Sequence, residues 1–287
     1  MSSPFKVRVM TGADLPFADS VRSLAGWNQT PQDWRRFLAT EPHGCFVAEW
    51  DGVPAGTATT IAYGTDLAWI GMMLVHPDFR RRGIGGALIG RCIEFLRGKN
   101  VRCIRLDATP LGKAVYDTLG FRTESHLARW ERVAGSACDA KDDAGIAAWR
   151  DADAGGIDTL DTAAFGTSRA RLLHALASDS RVAIISQPEA RGVSGFGMLR
   201  PGAHAAYLGP CSATDERTGL RLIGQLVSQA GGARIFWDIP EENEAAVAWA
   251  QQHGFTKQRP LIRMALGENT PRGDCRKQFA IAGPEVG

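Results

Sequence analysis

VHPDFRRRGIGGALIGRCIEFLRG, running from Val75 to Gly98, is the stretch from which the rest of this 287-residue chain can be placed. Ahead of it, Trp69 to Val75 (WIGMMLV) is an almost unbroken apolar run, the pattern of a strand covered on both faces. Pro77 cannot donate to a ladder and stops it. Behind it, Ile84, Leu88, Cys92, Phe95 and Leu96, flanked by Ile89 and Ile93, recur at helical spacing until Gly98. The turn from Arg80 to Gly86 therefore joins a buried strand to a helix N-terminus. Three glycines among four residues expose successive backbone N–H groups where the helix dipole is positive, and three arginines precede them. This is the chemistry of a site for a multiply charged phosphate ligand, with Arg80, Arg81, Arg82, Gly83, Ile84, Gly85, Gly86 and Ala87 as binding residues. The Gly-Lys-Ser/Thr of a nucleotide P-loop is absent, and Gly83-Ile84-Gly85-Gly86-Ala87-Leu88 does not meet G-x-G-x-x-G. A ligand-free tight turn with solvated arginines is the competing reading.

Length and composition fit two globular domains, with 44% hydrophobic and 22% charged residues. A net charge of +2 argues against a nucleic-acid-binding or membrane-surface protein. The six cysteines show no C-x-x-C pair and no metal-type spacing with the six histidines, so no metal is expected, and free thiols suit a reducing compartment. No apolar run reaches the ~18 residues of a membrane span. The expectation is a cytoplasmic protein, with the oligomeric state left open.

In chain order, Lys6 to Met10 reads as a strand. Thr11 and Asp14 signal a capped helix to about Ala25, and Thr30-Pro31 opens a second carrying Trp34, Phe37 and Leu38. These helices suit one wall of a substrate pocket, with Trp27 and Asn28 as lining residues; both tryptophans suit a core equally. Asp51-Gly52 marks a hairpin between Cys45–Trp50 and Val53–Tyr63. Val101 to Asp107 alternates as a strand, parallel to the one entering the loop because a helix joins them. Lys113 to Leu119 reads as a short helix ended by Gly120, and Phe121 opens a closing hairpin.

R-x-x-G-x-G, Arg80 to Gly85, directly after a V-x-P strand end, resembles the coenzyme A pyrophosphate loop of the GNAT superfamily of N-acetyltransferases. Y-x-x-x-G-F, Tyr116 to Phe121, is similar to that family's downstream signature. The resemblance implies an α/β fold with a mixed, mostly antiparallel sheet flanked by helices. It also implies transfer of an acetyl group from acetyl-CoA to a primary amine, most naturally a small-molecule one, by direct attack in a ternary complex. Met73, Leu74 and Val75 would pair through their backbone with the pantetheine arm, and Tyr116 would protonate the leaving thiolate. Thr109 stands where the family often has an Asn that bonds that arm. Trp69 and Gly71 stand where many members carry a general-base Glu, so no base is identified on that strand. Asp107, at the C-terminal end of its strand, is the first of the remaining proton-moving candidates, with Glu124, His126 and His76. A non-catalytic coenzyme A or acyl-CoA sensor is the alternative.

The second half repeats the first. Trp237 to Met264 (WDIPEENEAAVAWAQQHGFTKQRPLIRM) parallels Leu106 to Trp130, with Gly254-Phe255 placed 134 residues after Gly120-Phe121. The expected division is a catalytic domain over 1–133, a linker over 134–143, a degenerate GNAT-like domain over 144–267 and a loose tail over 268–287. The second loop, Thr214-Asp215-Glu216-Arg217-Thr218-Gly219, places two carboxylates where Arg82 and Gly83 stand in the first and would repel an anion. Site residues are therefore expected almost wholly from the first half.

Overall fold

The computed structural model describes residues 4–135, 145–186, 192–269 and 272–287. The first half runs β1 (Phe5–Val9), α1 (Leu15–Leu24), α2 (Pro31–Thr40), β2 (Cys45–Trp50), β3 (Val53–Tyr63), β4 (Leu67–Val75), α3 (Ile84–Gly98), β5 (Cys103–Ala108), α4 (Pro110–Thr118) and β6 (Arg122–Arg132). The second repeats that order as β7 (Ile146–Ala148), α5 (Ala154–Phe165), α6 (Ala170–Asp179), β8 (Val182–Ser186), β9 (Gly195–Arg200), β10 (Ala206–Ala213), α7 (Glu216–Gln229), β11 (Ile235–Pro240), α8 (Glu244–Gln252) and β12 (Thr256–Gly267). A short strand, β13 (Gln278–Ala280), follows. The linker expected over 134–143 lies, from residue 136 on, outside the described residues.

Local chemistry accounts for these boundaries. Thr30 caps α2, whose Asp33 carboxylate accepts from the Thr30 backbone N–H at 2.7 Å, with Pro31 in the first turn. Asp51 and Gly52 take φ of 48° and 80°, the two left-handed residues of a tight hairpin turn. α3 buries Ile84, Leu88, Ile89, Cys92, Ile93 and Leu96 against the sheet, as its spacing predicts. Burying each such side chain is worth roughly 1.5–3 kcal/mol.

All the strands join one sheet, in the order β1-β2-β3-β4-β5-β12-β6-β11-β10-β9-β8-β7, with β13 beside β10. Two pairings are parallel, β4 with β5 and β10 with β11; the rest are antiparallel. The middle of that order corrects the expectation of a closing hairpin after Phe121. β6 has no hairpin partner in its own half; β12 of the second half lies between it and β5, and β6 in turn pairs with β11. The halves have exchanged their last strands. Leu127 faces Leu261, which stands 134 residues later, the same offset that separates the two Gly-Phe pairs. The two leucines are therefore equivalents meeting on a pseudo-twofold axis. The register obeys it: Thr256↔Glu131 mirrors Ala265↔Arg122, and Pro260↔Ala128 mirrors Ile262↔His126.

Helices follow the same symmetry. Trp34 and Phe37 of α2, Ile157 of α5 and Leu172 and Leu173 of α6 share one core with Trp69 of β4, while α3 and α7 cover separate cores. The expected loose tail is a second correction. From Gln278 onward the chain is threaded through the molecule, with Phe279, Ala280, Ile281, Ala282 and Val286 all buried. The apolar run Phe279 to Ala282 drives this; reading the tail from Pro271, Gly273 and Pro284 alone overlooked it.

Candidate active site

β4 and β5 pair only from Leu67↔Cys103 to Trp69↔Arg105 and then part. The cause lies in β4, where Met72 takes a φ of 48° and the register with β3 shifts between Thr57 and Thr59. Such a bulge bends a strand and re-aims it. Beyond Trp69, no strand among the described residues pairs with β4 on its β5 side, so no ladder covers that edge of Met73 to Val75, where Arg80 Nε donates to the Val75 carbonyl. A cavity of about 180 Å³ occupies the gap. Met72 and Met73 line one wall, and Leu106 to Thr109 with Gly112 and Tyr116 of α4 line another.

The loop predicted to bind an anion stands next to this opening. α3 starts at Ile84 with Gly83 in the left-handed region (φ 82°) and no side chain capping it. The first N–H groups of a helix have no partner within it, and no side chain takes them here. A β-carbon at Gly86 would meet nothing within 4 Å, and one at Gly85 only the tips of Met73 and Val75 at 3.9 Å. The protein's own packing does not require glycine at either position, which leaves room for a ligand to approach the backbone. Arg80, Arg81 and Arg82 are exposed and make no ion pair among the described residues. The Arg82 guanidinium lies over Trp50, 4.8 Å from its ring centre, and Arg80 Nε donates to the Val75 carbonyl at 3.1 Å. These residues suit the pyrophosphate of coenzyme A by charge and by donor set.

Tyr116 faces the cavity edge-on to Phe121, and its hydroxyl has no hydrogen-bond partner among the described residues. Burial pushes its pKa up to about 12, with a smaller contribution from Cys92. Thr109 caps α4, its hydroxyl oxygen accepting from Gly112 N–H at 3.2 Å, which leaves its own hydrogen to donate into the cavity.

The remaining predicted residues divide. Trp27 lines the cavity, whereas Trp34 is core. Asn28 does not line it. Its side-chain oxygen accepts from the His204 and Ala205 N–H groups and its amide donates to the Ala205 carbonyl, at 2.9, 3.0 and 3.0 Å. Every donor and acceptor it turns inward is committed to the second half, so it is a clamp between the halves. Asp107 does reach the cavity wall, yet both its oxygens are held by Arg263 at 2.9 and 3.0 Å. Burial pushes its carboxyl above the ordinary range, against the pull of Arg263. The pair with Arg263 ties Asp107 to the second half while leaving it in the cavity lining. Glu124 is similarly held by Arg105 at 2.7 Å, His126 is exposed, and His76 sits beside Asp78.

The second half supplies more of the site than expected. Arg259 and Leu261 of β12, and Pro284 and Glu285 of the tail, complete the cavity opposite Tyr116, together with Gln29. The strand exchange brings Arg259 here and the threaded tail brings Glu285. Neither has a local motif; the only signal was the apolar run that anchors the tail. That anchor lies in the second half's counterpart of the cleft. β10 and β11 also part after Leu208 and Trp237, and β13 pairs with β10 in the gap. Asn243, in the second copy's N-x-x-A, donates to the Arg276 and Gln278 carbonyls at 3.0 Å each, and a β-carbon at Gly219 would collide with Phe279. Asp215 caps α7, accepting from Thr218 N–H at 2.9 Å. The inner part of the second cleft is thus taken by β13, while a cavity of about 520 Å³ stays open outside it, lined by Thr214, Asp215, Glu216, Glu242, Asn243 and Arg276.

Comparison with known proteins agrees with this architecture. The model of the acetyltransferase (GNAT) family matches residues 16–121, and that of an acetyltransferase (GNAT) domain matches residues 157–280. An uncharacterized N-acetyltransferase of Bacillus subtilis (strain 168) is 28% identical over 192 residues, 67% of either chain. The crystal structure of a candidate acetyltransferase from Pyrococcus horikoshii superposes with a TM-score of 0.85 at 24% identity, covering 100% of this chain and 97% of that one. A tandem GNAT protein from the clavulanic acid biosynthesis pathway gives a TM-score of 0.63 at 16% identity, covering 92% and 98%. With GNAT models matching both halves, the chain belongs to the acetyltransferase (GNAT) family as a tandem-domain member.

Proposed function

We propose that the chain transfers an acetyl group from acetyl-CoA to a primary amine by direct attack in a ternary complex. The observation that carries this reading is the continuity of the open cleft. At one end stand the bare N-terminus of α3 and three arginines without ion pairs among the described residues; along it runs the β4 edge that no described strand covers; at the other end is a tyrosine hydroxyl with no hydrogen-bond partner among the described residues. The arginines and loop N–H groups would hold the pyrophosphate, and Met73 to Val75 the pantetheine arm. Tyr116 would meet the thioester sulfur and protonate it as the carbon–sulfur bond breaks. Fixing amine and thioester together supplies much of the acceleration, since well-oriented partners reach effective concentrations on the order of 10⁵ M or more.

Thiol release from acetyl-CoA across a panel of primary amines tests this. Amine-dependent release is expected. Tight coenzyme binding without release for any amine would leave a coenzyme sensor instead.

A further inference from the structure

Where many members of the superfamily carry a carboxylate on the strand before the loop, this chain has Gly71, and the structure shows what occupies the space. A β-carbon at Gly71 would lie 2.4 Å from the Glu285 carbonyl oxygen and 2.8 Å from its Cα. The tail crosses β4 there, and only glycine permits the crossing. Trp69 Nε1 donates to the Pro284 carbonyl at 3.0 Å and Tyr63 Oη to the Val286 carbonyl at 2.7 Å, which pins Glu285 from both sides. Gln29 Nε2 donates to one carboxylate oxygen at 2.6 Å, and Glu285 lines the same cavity as Tyr116.

We propose, resting on the acetyltransferase reading, that Glu285 is the general base: it takes a proton from the acceptor's ammonium group in place of the carboxylate that β4 lacks. The neutral amine then attacks the thioester carbonyl, forming the nitrogen–carbon bond and breaking the carbon–sulfur bond. Tyr116 gives its proton to the sulfur and recovers one from the acylated nitrogen, and the proton held by Glu285 leaves to solvent. Burial, then Asp33, hold the Glu285 carboxyl above its ordinary range, against Arg200 and the Gln29 hydrogen bond. That narrows the gap to an amine of pKa about 10. The charged and titratable groups around Glu285 are Asp33 and Arg36 of α2, Tyr63 of β3, Asp107 of β5, Tyr116 of α4, Arg129 of β6, Arg200 of β9, Tyr207 of β10 and Arg259 of β12.

The test compares wild type, Glu285→Gln and Glu285→Asp with an amine that supports turnover. Glu285→Gln should lower kcat at neutral pH by about 10²–10³-fold with coenzyme affinity unchanged. The loss should shrink as pH approaches the amine's own pKa, where water supplies neutral amine, and Glu285→Asp should recover part of the rate. A wild-type rate in Glu285→Gln, or a loss that is the same at every pH, overturns the base role while leaving acetyl transfer standing. Thiol release absent from wild type for every amine removes both.

A separate feature bears on the acceptor. Arg259 lines the cavity with its Nε buried and without a hydrogen-bond partner, and among the described residues it makes no ion pair. Burial and the neighbouring Arg129 both disfavour its charge. A guanidinium left in that position matches an anion delivered by a ligand. We infer, on the same acetyltransferase reading, that the acceptor carries an anionic group, such as a carboxylate or phosphate, close to its amine. Matched acceptors, an α-amino acid against its amide and an amino-alkyl phosphate against the alcohol, test it. Wild type should prefer the anionic member at least about tenfold in kcat/KM, worth roughly 1.4 kcal/mol, and Arg259→Gln should erase the preference. Equal use of both members by wild type, turnover of neutral amines alone, or a preference that survives in Arg259→Gln overturns it.

Discussion

Arg263 closes a two-pronged ion pair on Asp107, at 2.9 and 3.0 Å, across 156 residues of chain. Its pseudo-symmetric counterpart is Arg129 on Asp238, at 2.9 and 2.6 Å. Each arginine sits on an exchanged strand and each aspartate on the strand that receives it. The two pairs thus fasten the halves reciprocally beside the Leu127–Leu261 axis. All four side chains are buried, so each charge depends on its partner for solvation.

Asp107→Asn should accordingly destabilise the fold by about 3–5 kcal/mol, the usual cost of orphaning one member of a buried pair. Arg263→Met should cost a similar amount, and Asp107→Leu with Arg263→Met less than the two single losses combined. Denaturant unfolding of the four proteins checks this. A folded Asp107→Asn protein that has lost rate about 10²-fold or more without losing stability would return Asp107 to catalysis.

Gly86→Glu should fold normally. A β-carbon there meets nothing, and a carboxylate in the first turn suits the helix dipole, adding about 0.3–1 kcal/mol. Coenzyme affinity should fall at least about tenfold from charge repulsion alone, one decade being 1.4 kcal/mol. Calorimetric titration with coenzyme A decides, and unchanged affinity would place the pyrophosphate elsewhere.

Tyr116→Phe should lower kcat by about 10²-fold or more while leaving coenzyme binding intact, since the ring keeps its edge contact with Phe121. Equal losses in turnover and binding would remove the general-acid role.

Asn243→Ala removes donors to two tail carbonyls and the acceptor for Ala246 N–H at the start of α8. A stability loss of about 1–3 kcal/mol is expected. Because that tail carries Glu285 into the other half, kcat should drop further than coenzyme affinity. Parallel thermal melts, rates and coenzyme titrations would show it; a rate equal to wild type would uncouple the second cleft from the first.

Glu285→Gln should raise the thermal midpoint, and more so at about pH 8 than at about pH 4. The folded-state pKa of Glu285 is raised, so the native state holds this proton more tightly than the unfolded chain does. The native state then loses stability as pH climbs from the unfolded value through the folded one, and glutamine removes that loss. A midpoint that falls at both pH values would contradict it.

The residues proposed for the coenzyme half of the site lie near one another in sequence. Arg80 to Gly86 lies in one turn, and Tyr116 to Phe121 in one helix and its exit. Thr109, expected at the ligand, caps α4. Asn28 and Asp107 hold partners that no local reading could supply: each is a polar group bound to the other half, to Ala205 and Arg263, more than 150 residues away.

The sequence alone determined the order of elements, their repetition, and which copy keeps a loop of arginines and glycines, because periodicity, turn glycines and loop charge act within a few residues. Only the tertiary structure decided that the last strands cross between the halves. It also decided that the tail enters the second cleft, and that Gly71 yields its space to Glu285. Those outcomes rest on which distant surfaces bury each other. A strand reads the same in sequence whichever sheet accepts it, and a glycine does not name the side chain that will cross it.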